Sequence, residues 1–269
     1  MNFNNYFSKN LRIMRHFKLF FYSLYGSIYI RILIGYIRWF YYYKVRRYYK
    51  YLDIDNAIEG ALNHNLRYFL KFPLPDFVMK RMDRLISMIK SIEIINDKSH
   101  FLIIGPRTES DIMRLRFNFP KAKINSIDII SYSPWIEIQD AHKTTFSNDS
   151  FDCIISGWVL KYSSDQDKMI NEMVRIINND GIIAIGIEYY KPETNKYFGN
   201  KNLRHLKWDE IRSSVNSVKE IENILVKNKI KYRIISSYDA LLKDKSVDEL
   251  YEITGLPHTQ VMVCIQIFK

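Results

Sequence analysis

The side chains best suited to chemistry stand at recurring places, each at or just beyond the end of a short apolar run. Gly105 follows Phe101-Leu102-Ile103-Ile104, and Asp128 follows Ile124 to Ile127. Ser156 and Gly157 close the run that begins at Phe151, and Glu188 closes Ile182 to Ile187. Between the second and third runs lies Gln139-Asp140-Ala141-His142. Carboxylates in such positions accept hydrogen bonds from ligand hydroxyl and amino groups. Tyr162, His142, Glu188 and His205 are the nearby groups able to move a proton, and the sequence does not separate them as general bases.

Runs this short, bounded by turn residues and alternating with helical patterns, predict parallel strands buried on both faces. Ligands of such sheets bind at the carboxyl ends of the strands, where Gly105, Asp128, Asp140 and Ser156 fall. A helix is predicted from Gln166 to Ile177, with Met169, Ile170, Met173 and Val174 on its sheet side, and Asn179-Asp180-Gly181 reads as a turn. A second helix is expected over Val218 to Asn228, a strand over Tyr232 to Tyr238 and a closing strand over Val261 to Phe268. Two helices are expected between Asp53 and Asn96, separated by Phe72-Pro73-Leu74-Pro75.

Several phrases, in order, resemble the core of class I S-adenosylmethionine-dependent methyltransferases of the small-molecule, type 11 branch. They are Thr145-Phe146-Ser147-Asn148-Asp149-Ser150-Phe151-Asp152, Val159-Leu160-Lys161-Tyr162 and Ile177-Asn178-Asn179-Asp180-Gly181. The resemblance implies a Rossmann-like α/β fold, with a seven-stranded sheet, helices on both faces and an antiparallel final pair. It implies S-adenosylmethionine as cofactor, held by Gly105, Pro106, Arg107, Thr108, Asp128, Ile129, Asp140, Ala141, Ser156 and Gly157. Asp128 would take the ribose hydroxyls, Ile129 would cover the adenine and Asp140 would accept from its amino group. The first loop departs from the family's Gly-x-Gly-x-Gly: only Gly105 remains, followed by Pro106, which has no amide to donate. Arg107 facing the cofactor's carboxylate would compensate, a solvated loop arginine being the alternative, and Thr108 with Asp111 reads as a capping box. Where related enzymes often carry Glu and His, this chain has Lys161 and Tyr162.

The net charge of +11 is concentrated at one end. Residues 1–50 hold ten Lys/Arg and no acid, so the remaining 219 residues carry 30 basic against 29 acidic side chains. Seventeen of the 40 aromatics lie in the same 50 residues, which marks residues 1–52 as a segment with its own role. On a helix, Ser23, Ser27, Arg31 and Arg38 form a narrow polar stripe opposite a wide apolar face. An anionic membrane surface is the first reading of this segment, packing on the chain's own domain the second, and single-stranded nucleic acid the third. Two cysteines exclude a disulfide framework, and Cys153 and Cys264 read as buried thiols in a cytoplasmic protein, peripheral on the inner face of the membrane.

The expected organisation is residues 1–52 as a basic aromatic helical extension and 53–269 as the methyltransferase-like domain. Within it, 53–96 form a helical lid, 97–188 the cofactor core, 189–216 a substrate loop and 217–269 a helix and strands. The expected function is methyl transfer to a small molecule, or to a sugar of a cell-surface polysaccharide or lipid-linked intermediate. A catalytically inactive scaffold and an RNA-modifying methyltransferase are the alternatives.

Overall fold

Four apolar runs become neighbouring parallel strands because each must bury two faces at once. The computed structural model describes residues 24–52, 71–78, 81–191, 215–239, 242–256 and 258–269. In chain order the elements are α1 (Ile28–Trp39), β1 (Lys50–Tyr51), α2 (Leu74–Val78), α3 (Arg81–Lys90), β2 (His100–Ile104), α4 (Glu109–Asn118), β3 (Lys123–Asp128), β4 (Ile130–Ser131) and β5 (Glu137–Ile138). There follow β6 (Phe151–Gly157), α5 (Gln166–Ile176), β7 (Ile177–Tyr189), α6 (Val218–Lys227), β8 (Lys231–Asp239), α7 (Val247–Thr254) and β9 (Thr259–Phe268).

Seven strands form one sheet in the order β5-β3-β2-β6-β7-β9-β8. Strands β5, β3, β2, β6 and β7 run parallel, and β9 is antiparallel to both β7 and β8. The expected Rossmann-like sheet with an antiparallel end is therefore present. Alternation along β2 shows how the sheet is covered: Leu102 and Ile104 join Met169, Ile170 and Met173 of α5 with Ile221 and Leu225 of α6. Phe101 and Ile103 face the other way, onto Leu85, Ile86 and Ile89 of α3 and Ile112 and Leu115 of α4. Period two on the strand and period near 3.6 on the helices meet in two apolar layers. Both cysteines are buried free thiols in the second layer.

The turn predicted at Asn179-Asp180-Gly181 is absorbed into β7, which starts directly after α5 at Ile177. Asp180 takes a left-handed backbone (φ 63°), and the β6–β7 register slips between Phe151 and Cys153. The predicted helix 53–70, the insert over 192–214 and His205 lie outside the described residues.

The described part of the N-terminal extension packs on the domain. Arg38 of α1 donates Nε–H and Nη2–H to Glu109, at 2.6 and 2.7 Å. Gly35 sits so close to Phe77 that a Cβ there would lie 2.3 Å from its ring. Trp39 packs on Ile130 and Tyr132, and β1 pairs antiparallel with β4. The polar stripe thus turns inward, Arg31 Nη1 donating to the Gly26 carbonyl at 2.8 Å while its guanidinium lies over Phe117.

Candidate active site

Strand ends and the loops after them build a cleft at the carboxyl edge of the sheet. It is lined by Gly105, Pro106 and Arg107 after β2, by Asp128 and Ile129 after β3, and by Asp140, Ala141 and His142. Gly157 and Trp158 after β6, Tyr162, Ser163 and Glu188 complete that wall, and Asp76, Arg81 and Met82 from α2 and α3 cover it. Eleven sequence-predicted site residues therefore come together. Thr108 and Ser156 do not line the cleft. Thr108 is buried as the N-cap of α4, accepting from Ser110 N–H, so Asp111 is not its capping-box partner and instead pairs with Arg114 at 3.0 Å. Ser156 points into the packed layers, because period two along β6 sends it there while its neighbour Gly157 reaches the cleft.

The loop after β2 works by backbone conformation. Gly105 has φ 68° and its N–H donates to the Ile127 carbonyl at 2.8 Å, tying the two strand ends together. Arg107 is left-handed although it is not glycine (φ 50°). That strain turns its N–H onto Asp128 Oδ2 at 3.0 Å. The Ile130 N–H reaches Oδ1 at 3.3 Å. Burial pushes the Asp128 carboxyl up to about 6, the main-chain donors pulling the other way.

The Arg107 guanidinium is where the structure departs most from expectation. It forks onto Asp76, with Nε and Nη2 at 3.2 and 2.6 Å from the two carboxylate oxygens. This pair clamps α2 over the loop, and Arg114 strengthens it by donating to the carbonyls of Asp76 and Phe77. The side chain expected on the cofactor's carboxylate is thus engaged by the protein itself.

Asp140 and His142 form a second clamp. Asp140 Oδ1 accepts from the His142 N–H at 2.9 Å and lies 2.6 Å from Nδ1, while Nε2 lies 2.6 Å from Ser163 Oγ. Both ring nitrogens of His142 are thus engaged within the protein, one by Asp140 and one by Ser163. Burial lifts the Tyr162 hydroxyl to about 12.

Glu188 is different. Oε1 accepts from Arg81 Nη1 at 2.9 Å, whereas Oε2 is buried with no hydrogen-bond partner among the described residues. Burial raises its pKa, with Arg81 and then Lys161 opposing. Behind it Lys161 is fully buried, donates to the Val215 carbonyl and is held down to about 8 by burial. His258 is held down to about 4 by burial and by the nearby Arg81 and Lys161. Trp158, left-handed at φ 63°, anchors this corner by donating Nε1–H to Gln260 at 2.7 Å beneath the Arg81 guanidinium. Sequence reasoning missed Asp76 and Arg81 as residues lining the cleft. Asp76 carried only a helix-start signal, and nothing local marks Arg81.

Residues 115–185 match the family profile described as "Methyltransferase domain". The match spans β3, the Asp128–Asp140 wall and β6 through most of β7, while the Gly105–Arg107 loop, the α2–α3 cover and Glu188 lie outside it. Over this stretch the chain resembles the class I S-adenosylmethionine-dependent methyltransferases. Among solved structures, the domain resembles a putative sarcosine dimethylglycine methyltransferase from Galdieria sulphuraria at 11% identity and a TM-score of 0.52, covering 76% of this chain and 98% of that one. A phosphoethanolamine N-methyltransferase 2 from Haemonchus contortus, in complex with S-adenosyl-L-methionine, aligns at 12% identity and a TM-score of 0.49, covering 70% of this chain and 53% of that one. A SAM-dependent methyltransferase from Aquifex aeolicus aligns at 14% identity and 0.46, over 70% and 93%. The aligned part of the chain spans about half the length of the Haemonchus protein. The curated proteins contain no match to the chain. At these identities the likeness concerns the fold.

Proposed function

We propose that this domain methylates a hydroxyl group, with Glu188 as the proton acceptor. The observation that carries the acceptor chemistry is Glu188 Oε2, a buried carboxylate oxygen on the cleft wall with no partner among the described residues, beside an Oε1 fixed by Arg81. A carboxylate with a raised pKa and one oriented oxygen suits removal of a hydroxyl proton. A cationic amine would instead meet Arg81 on the cleft wall, of like sign, with Lys161 buried behind it.

The residues of the cleft fit S-adenosylmethionine, which has no phosphate and so does not demand a glycine-rich cradle. Asp128, held by two main-chain donors, keeps lone pairs for the ribose hydroxyls. Ile129 would cover the adenine, and Asp140, oriented by His142, would accept from its amino group. Gly105, Pro106, Ala141 and Gly157 form the close wall. When bound, the cofactor supplies a methyl group already activated by a sulfonium. The protein's work is then to orient the acceptor, exclude water and take up one proton. The acceptor we favour is a small molecule, or a sugar of a cell-surface polysaccharide or lipid-linked intermediate, met at the inner face of the membrane.

One observation favours a second reading, an inactive scaffold. Pro106 has no amide and the Arg107 fork is engaged by Asp76, so the loop offers little to a cofactor carboxylate. Glu188→Gln separates the two. It should leave calorimetric binding of S-adenosylhomocysteine within about twofold of wild type. Transfer of labelled methyl to the glycan and lipid fraction of the cell should fall roughly 10²–10⁴-fold, the usual contribution of a general base. Undiminished transfer would remove Glu188 from that role, and failure of wild type to bind the cofactor would leave the scaffold.

A further inference from the structure

An amphipathic helix on a globular domain normally turns its apolar stripe to the core and its polar stripe to water. Helix α1 is mounted the other way round. Arg31 and Arg38 point inward to carbonyls and to Glu109, while Tyr29, Leu33, Ile37 and Phe40 point outward at spacings of four, four and three. Tyr41 and Val45 continue this face along the wider π-helical turn Phe40–Val45, and Leu33, Ile37 and Val45 are each more than half exposed. Of the sixteen exposed large hydrophobic side chains among the described residues, eight fall within residues 29–51, so the apolar surface is one patch rather than scattered residues. At its end Lys44, Arg46, Arg47 and Lys50 are exposed, and no acid occurs among residues 1–50.

We propose that this face of α1 and the following turn is a docking surface for an anionic lipid membrane. Apolar and aromatic side chains beside a cationic cluster suit the headgroup boundary of such a bilayer. Apart from Tyr29, the most exposed side chains of this face, Leu33, Ile37 and Val45, offer no ring to stack on a base, which favours lipid over single-stranded nucleic acid. A second copy of the chain would bring two cationic clusters of like sign together across a two-fold axis. No helix among the described residues is long and apolar enough to cross a membrane, so the contact is peripheral. Because the inner face is pinned by Arg38, Gly35 and Trp39, docking does not require α1 to leave the domain. Through Phe77 the helix adjoins Asp76, which lines the cleft, so a bound membrane lies beside the active-site wall. The proposal is independent of the methyl-transfer chemistry.

The full chain is sedimented with vesicles of phosphatidylcholine alone and of phosphatidylcholine with phosphatidylglycerol. Wild type should pellet with the anionic vesicles only. Leu33→Ser/Ile37→Ser/Phe40→Ser should weaken partitioning at least about tenfold, without lowering the melting temperature. Lys44→Glu/Arg46→Glu/Arg47→Glu should weaken it about fivefold for each cation lost and abolish its sensitivity to salt. The proposal is overturned if wild type stays in the supernatant with both vesicles, or if both variants pellet like wild type. It is equally overturned if light scattering shows a dimer that the serine variant dissociates, or if a single-stranded RNA oligonucleotide, and not the vesicles, captures the chain.

Discussion

Replacing Arg38 with alanine should cost the fold about 2–4 kcal/mol, because the ion pair it makes is the main fastening of the N-terminal extension. Glu109 is fully buried and its two oxygens take both arms of the Arg38 fork. Removing one member of a buried pair leaves an uncompensated charge, typically costing about 3–5 kcal/mol. Arg38 retains 21% exposure, so water entering the gap lowers that figure. Ser133 Oγ, which also donates to Glu109, lowers it further. Loss of the guanidinium stacked 3.5 Å from the centre of the Trp135 ring adds back roughly 0.5–1 kcal/mol. For a chain of this size each kcal/mol shifts the melting temperature by about 2–4 °C, so a fall of roughly 5–15 °C is expected. Urea denaturation gives the free energy directly, and Glu109→Gln closes the double-mutant cycle. The double variant should be less destabilised than the sum of the singles, since it leaves no unpaired charge. A loss below about 1 kcal/mol, or strict additivity, would refute the claim that the extension is built into the domain.

Two further outcomes follow from the cleft. Gly105→Ala should destabilise by about 1–3 kcal/mol in the same urea assay, because the backbone is left-handed there and a Cβ would lie 2.7 Å from Val159; a neutral result would mean the loop relaxes freely. His258 titrates near 4 in the fold against 6.5 in the unfolded chain, so the unfolded state binds more protons between those values. Its contribution is full above about pH 6.5 and is lost as pH falls toward 4. Asp128, raised from 3.8 to about 6, slopes the opposite way over much of that window, so the measurement is the wild-type stability minus that of His258→Gln at each pH. The difference should shrink as pH drops, and a flat difference would show His258 to be solvated.

The sheet was legible because its strands carry their own signals. Runs such as Phe101–Ile104 and Val261–Phe268 are apolar enough to be strands in any context, and the acids ending them fall at one edge once the strands lie parallel. What could not be read was partnership. Nothing near Arg107 indicates that its fork will close on Asp76, 31 residues earlier, or that a positive φ will turn its amide onto Asp128. Nor does anything near His142 show that Ser163, 21 residues later, takes its second nitrogen. The polar stripe of α1 was visible by its spacing, but its direction depends on Glu109, 71 residues beyond Arg38. The strands Glu137–Ile138 and Lys50–Tyr51 are two residues long and exist only through pairing, so no periodicity announces them.

The central claim is that Asp128 holds the cofactor at the end of β3. Calorimetry with S-adenosylhomocysteine on wild type and on Asp128→Asn, with melting curves as a control for folding, tests it most directly. Loss of a charged acceptor for the ribose hydroxyls should weaken binding by about 1–3 kcal/mol. Because the carboxyl titrates near 6 and the ligand favours its charged form, wild-type affinity should fall close to tenfold per pH unit below that value while the asparagine variant stays flat. Equal affinity and equal pH dependence in a folded Asp128→Asn, or no binding by wild type at any pH, would contradict the account.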